Sequence, residues 1–142
     1  MPDVEQENQF VDAFILSERR DRYKLLLASD KSRRAFLDRL NHSLDFIPSL
    51  ASQIPSSQHS AEGVAKLLRQ RRMRDTDIVY VFSDVRDLDG QFLPLHDALQ
   101  NVMDAGFGSV ASCVAGRLAY YRPEAPASGY ILEKAPASQG RR

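Results

Sequence analysis

The sequence predicts an α+β domain: N-terminal helices packed on a mixed sheet of about four strands, with one β-α-β unit and a C-terminal hairpin. Three observations lead there. The first half of the chain holds three amphipathic segments, each preceded by a capping serine. Ile78 to Phe82 and Val110 to Ala115 are apolar runs without polar alternation, as expected of strands covered on both faces. Between them, Pro94 to Ala105 has its apolar residues at helical spacing. Two strands joined through one helix lie parallel, with a right-handed connection.

Taken in order, residues 1–9 are acidic and polar and read as a disordered lead. Phe10 to Leu16 is apolar enough to dock, and we assign it to helix although it is too short for its period to decide. Ser17 is placed to cap a helix from Glu18 to Ala28 that buries Tyr23, Leu26 and Leu27. Ser29 or Asp30 caps the next, Lys31 to His42, through Phe36, Leu37 and Leu40. Pro48 and Pro55 interrupt the chain and leave one helical turn between Ser49 and Ile54. Ser60 caps the third helix, Ala61 to Arg72, which buries Val64, Leu67 and Leu68.

The sheet then begins. Its expected strands are Ile78 to Ser83, Ser109 to Ala115, Leu118 to Arg122 and Gly129 to Lys134, the last two forming the hairpin. Gly106 ends the helix that starts at Pro94. The single domain spans residues 10–134, and the Pro-, Ala-, Ser- and Arg-rich residues 135–142 read as a disordered tail.

Size and composition narrow the function. A chain of 142 residues fits one domain and buries enough surface to fold without a metal or disulfide. One cysteine, Cys113, cannot form an internal disulfide, which fits a reducing compartment. No run approaches the ~18 apolar residues of a membrane span, and the first residues lack the pattern of a secretion signal. The expected location is therefore cytoplasmic. Zero net charge argues against a protein that coats nucleic acid. The charge is mildly split, with thirteen basic and ten acidic residues up to position 74, and six and nine after it.

Several motifs bear on chemistry. Asp84, Asp87, Asp89 and Gly90 resemble half of a calcium loop, but Val85 and His96 occupy positions where that loop needs ligands, so no metal is expected. Cys113 lies inside an apolar strand, where a thiol is a small hydrophobe, not a nucleophile. No Gly-rich phosphate loop occurs, and no cofactor or catalytic residue is assigned. The sharper expectation is positional. Ligands of parallel sheets bind at the carboxyl ends of the strands, which would gather Asp84, Asp87, His96 and Arg117 at one rim as a ligand site. Arg69, Arg71, Arg72 and Arg74 supply a second candidate, phosphate contacts to nucleic acid.

With no complete catalytic constellation, the expected function is a non-catalytic regulatory or accessory module that binds a macromolecular partner. A protein is favoured over nucleic acid, and no membrane is involved. A small enzyme or ligand sensor using the four rim residues is the alternative. RNA or DNA binding through the helix-end arginines is a second.

Overall fold

A computed structural model describes residues 2–42, 45–125 and 128–134. It is an α+β fold of five helices around a six-stranded sheet: α1 (Val4–Phe14), α2 (Arg20–Leu27), α3 (Asp30–Arg39), β1 (Ala51–Gln53), α4 (Ala61–Arg69), β2 (Ile78–Ser83), β3 (Phe92–Pro94), α5 (Leu95–Ala105), β4 (Ser109–Val114), β5 (Leu118–Arg122) and β6 (Tyr130–Glu133). The strand order is β1-β6-β5-β4-β2-β3, and every neighbouring pair is antiparallel.

The parallel β-α-β unit is therefore overturned, together with the strand number. β2 and β4 are neighbours, but Phe82 pairs with Val110 and Tyr80 with Ser112, in opposite directions. The reason is β3. After β2 the chain turns through residues 84–91 and comes back along β2, with Phe92 opposite Tyr80 and Pro94 opposite Ile78. The helix α5 thus starts beside the beginning of β2, where the Leu95 amide donates to Asp77 O at 2.7 Å. By the time α5 has run its eleven residues the chain is back at the end of β2, and the next strand must descend. Two crossings separate β2 from β4 where a β-α-β unit has one. The expected helical turn at Ser49 to Ile54 is likewise corrected: a short 3-10 turn, Pro48–Leu50, leads into edge strand β1.

The sheet is covered on both faces, which explains its unbroken apolar strands. One face presents Tyr80, Phe82, Val110, Ala119, Tyr121 and Leu132 to α1, α2 and α3, where Phe10, Phe14, Tyr23, Phe36 and Leu40 complete the core. The other presents Val79, Val81, Ala111, Tyr120 and Ile131 to α4 and α5, around Val64, Leu68, Leu95, Leu99 and Val102. The two tyrosines of β5 thus point into different cores. Tyr121 donates to Leu40 O at 2.8 Å, fixing the end of α3 to the sheet.

Local signals behave as their chemistry dictates. The Ser29 hydroxyl accepts from Ser32 N and that of Ser60 from Gly63 N, each satisfying a first-turn amide. Gly106 terminates α5 at φ 75°, in the left-handed region glycine enters without a Cβ penalty. Ser17 does not cap, and a 3-10 turn, Ser17–Arg19, precedes α2. Residues 1–9 are not an unstructured lead over their described part: the Asp3 carboxylate caps α1 by accepting from Gln6 N at 3.0 Å. Phe10 belongs to that helix, which ends at Phe14. The expected tail, residues 135–142, lies outside the described residues.

Candidate functional site

The antiparallel arrangement separates the four residues expected at one rim. Asp84 and Asp87 follow β2, at the end of the sheet that also holds Ser109, Arg122 and Tyr130. Arg117, in the turn between β4 and β5, and His96, in the first turn of α5, lie at the opposite end, where β2 begins. Even the two aspartates diverge. Asp84 lines a cleft with Arg33, Arg34 and Arg86, whereas Asp87 lines another with Gln91, Asn101 and Asp104. His96 stands by Asp75, to whose carbonyl its backbone amide donates at 3.1 Å. Arg117 opens onto a cleft shared with Arg71 and Arg72. Once β4 runs antiparallel to β2, the two aspartates and the pair His96 and Arg117 fall at opposite ends of the sheet.

The third aspartate of the acidic turn has a structural task. Arg33, only 5 % exposed, grips Glu7 with both terminal nitrogens, at 2.8 and 2.6 Å. Its Nε and Nη2 hold Asp89 at 2.7 and 3.0 Å. Asp89 also accepts from Ser83 N at 3.0 Å, and the Tyr80 hydroxyl donates to Glu7 at 2.6 Å while accepting from Asp3 N at 2.9 Å. The cluster thereby ties α1, α3, β2 and the loop before β3 together. Burial, then the hydrogen bond to Glu7, push the Tyr80 phenol well above its ordinary pKa, so it remains a donor. One guanidinium bridges two carboxylates, which makes the cluster a clasp between these elements. Sequence reasoning missed Glu7 because its partners lie 26 and 73 residues away. The only local signal was Asp3 placed to cap a helix ending in Phe10, Val11 and Phe14.

Cys113 is buried, and burial followed by the charge of Asp77 pushes its thiol up to about 12. A thiol held that high is not a nucleophile near neutral pH.

The helix-end arginines divide. Arg69 is held by Glu62 and Asp75, each at 3.0 Å, and Arg74 pairs with Asp77 at 3.4 Å. Arg71 bonds Glu133 at 2.9 Å and the carbonyl of Leu67 at 2.9 Å. Arg72, at φ 72°, turns the chain past the end of α4. A cleft of about 430 Å³ lies here, lined by Arg71, Arg72, Arg117 and Lys134, with Glu133 the one carboxylate among the described residues that line it. The Lys134 amide donates to Arg117 O at 2.8 Å, which fixes the end of β6 beside the β4–β5 turn. Two residues from the nucleic-acid set and one from the ligand set therefore meet where neither expectation placed them.

A second polar cluster had no sequence signal. His59 Nε2 lies 2.6 Å from the Tyr120 hydroxyl, and Arg122 is near enough that its charge, after burial, holds the His59 pKa below the ordinary 6.5. The unfolded chain therefore binds this proton more readily than the folded one. The linked stability is fully present above pH 6.5 and is lost as pH falls through the folded value. His59→Gln should flatten that part of a stability-versus-pH curve measured by urea denaturation between pH 5 and 8, conditions the histidine range defines. An unchanged slope would contradict the placement.

Comparison with known proteins finds no protein-family model that matches the chain, no similar curated protein and no similar solved structure. Among the described residues no helix is long and apolar enough to cross a membrane.

Proposed function

We propose that the chain is a non-catalytic accessory module that binds an acidic segment of a partner protein through the cleft of Arg71, Arg72, Arg117 and Lys134. The observation that carries this reading is the convergence of four cations from three separate elements around one carboxylate, Glu133. Like charges brought together repel, and the field they focus attracts an anionic chain. The remaining lining is Gln70, Met73, Val114 and Leu118. It offers apolar contact but no aromatic face on which a base would stack, which favours carboxylates of a protein over single-stranded nucleic acid. Cytoplasmic placement belongs to the same proposal.

The test is affinity purification from the native cell extract, comparing the unaltered protein with Arg72→Glu/Arg117→Glu. A stoichiometric protein recovered with the former and depleted at least about tenfold with the latter is expected, a change of about 1.4 kcal/mol. Its association should also weaken between about 0.05 and 0.5 M salt, as screening demands. Equal recovery by both forms ends the proposal, and recovery of RNA or DNA in place of protein replaces it with phosphate binding.

A further inference from the structure

Three residues lie directly across β2, β4 and β5 from one another: Ser83 opposite Ser109, and Ser109 opposite Arg122. Opposed residues of an antiparallel ladder share a face, here the face toward α4 and α5. Ser83 and Ser109 are wholly buried, with their hydroxyls 3.0 Å apart. Arg122 is 9 % exposed, yet its Nε and Nη1 find no acceptor among the described residues. No ion pair among those residues includes it. The contrast with Arg33, also buried but bonded through Nε and both terminal nitrogens, is within the same molecule.

A buried base normally escapes such a position by losing its proton, but a guanidinium does not at any ordinary pH. Unmet donors on a buried cation are therefore a standing cost that the fold carries without structural return. The surroundings are neutral but polar. Tyr120 lies two residues before Arg122 on the same face, with His59 bonded to its hydroxyl. Gly129 makes that approach feasible: a Cβ there would sit 2.6 Å from His59 Nε2 and 2.7 Å from Tyr120 Cε1. His59 and Ser128 are partly exposed, so the cluster reaches solvent beside the 3-10 turn Ser56–Gln58.

We propose that Arg122, His59 and Tyr120 form a receptor for a small oxyanion, the carboxylate or phosphate group of a metabolite-sized ligand. The two open donors of Arg122 supply charge-assisted bonds, the strongest kind available to such a group. With His59 in the Nε2–H tautomer the imidazole donates to Tyr120, and the phenol hydrogen, which otherwise meets only the weak thioether acceptor of Met103 at 3.8 Å, turns to the anion to complete the set. The site is separate from the surface cleft described above and gives the module a ligand to sense while it holds a partner.

Thermal melts of the full chain in inorganic phosphate, and in acetate, each against chloride at equal ionic strength, test the assignment. One or both oxyanions should raise Tm by several degrees, since a ligand bound only to the folded state stabilises it. The two arms separate phosphate from carboxylate recognition. Arg122→Gln should lose the rise, while Arg72→Glu/Arg117→Glu, altered only in the surface cleft, keeps it. In chloride, Arg122→Met should melt above the unaltered protein because it removes an unpartnered buried charge. Should Arg122→Gln not fold, the imidazole signals of His59 in the unaltered protein decide: an oxyanion-dependent shift at His59 supports the site. The proposal falls if neither anion exceeds chloride, or if Arg122→Gln retains the rise. It falls equally if the rise disappears in the surface-cleft variant alone.

Discussion

Arg33→Ala should lower the unfolding free energy by about 3–5 kcal/mol, read from urea denaturation with far-UV circular dichroism. The loss arises less from the bonds removed than from what they leave behind. Glu7 is 2 % exposed, and without the guanidinium it becomes a buried carboxylate whose one remaining side-chain partner among the described residues is the Tyr80 hydroxyl. Asp89 keeps Ser83 N but loses its counter-charge. Against a total stability of about 5–15 kcal/mol for a domain of this kind, the variant is near the limit of folding. A compensated variant separates the causes. Glu7→Leu, Arg33→Met, Asp89→Asn and Tyr80→Phe together remove all the charges, and most of the loss should return, because replacing an entire buried ionic cluster by apolar groups is often close to neutral. A loss below about 1 kcal/mol in Arg33→Ala would show the cluster to be wet and screened.

That clasp also marks where the sequence stopped being legible. Helices α3 and α4 and strands β2, β4, β5 and β6 are readable within a few residues, because caps and apolar runs are local chemistry. Strand direction is not. The continuous apolar character of Ile78 to Phe82 reports that both faces are covered, and here helices cover both faces of an antiparallel sheet, so the inference from double burial to parallel pairing fails. The deciding segment, Phe92-Leu93-Pro94, is three residues long and ends in a proline, too short to register as a strand. Missing it reversed β4 and placed Arg117 at the wrong end of the sheet. Glu7 failed for another reason. An acidic residue near a chain start reads as solvated unless its partner is known, and Arg33 comes close only after α1 and α3 have packed. Arg122 belongs to the same class: in sequence it is the polar end of a strand, and only the fold shows that its Nε and Nη1 are buried without an acceptor among the described residues.

Phe82→Ala should cost about 3–5 kcal/mol and act on one layer of the molecule only. The Phe82 ring is fully buried and stands between α1 and α3, 5.0 Å from the ring of Phe10 and 5.6 Å from that of Phe36, with Tyr80 at 5.5 Å on its own strand. Truncation removes the central member of three aromatic pairs, each worth about 0.5–1.5 kcal/mol beyond area burial. The resulting void cannot close without moving α1, which the Glu7–Arg33 clasp restrains. Amide hydrogen exchange should therefore quicken in α1 and α3 well before α5 responds. Val81→Ala is the control from the opposite side of the same strand. It points into the core of α4 and α5, costs about 2 kcal/mol by the methyl groups it removes, and should quicken α5 first. If both substitutions loosen α1 and α5 to the same extent, the two cores unfold as one unit and the sheet does not insulate the two helical layers from each other. The surface cleft at the end of α4 would then respond to packing around Phe82. If exchange stays confined to one layer, α4, the β4–β5 turn and the end of β6 keep their cations in place while the α1–α3 layer loosens, and binding at that cleft should survive Phe82→Ala at temperatures where the variant remains folded.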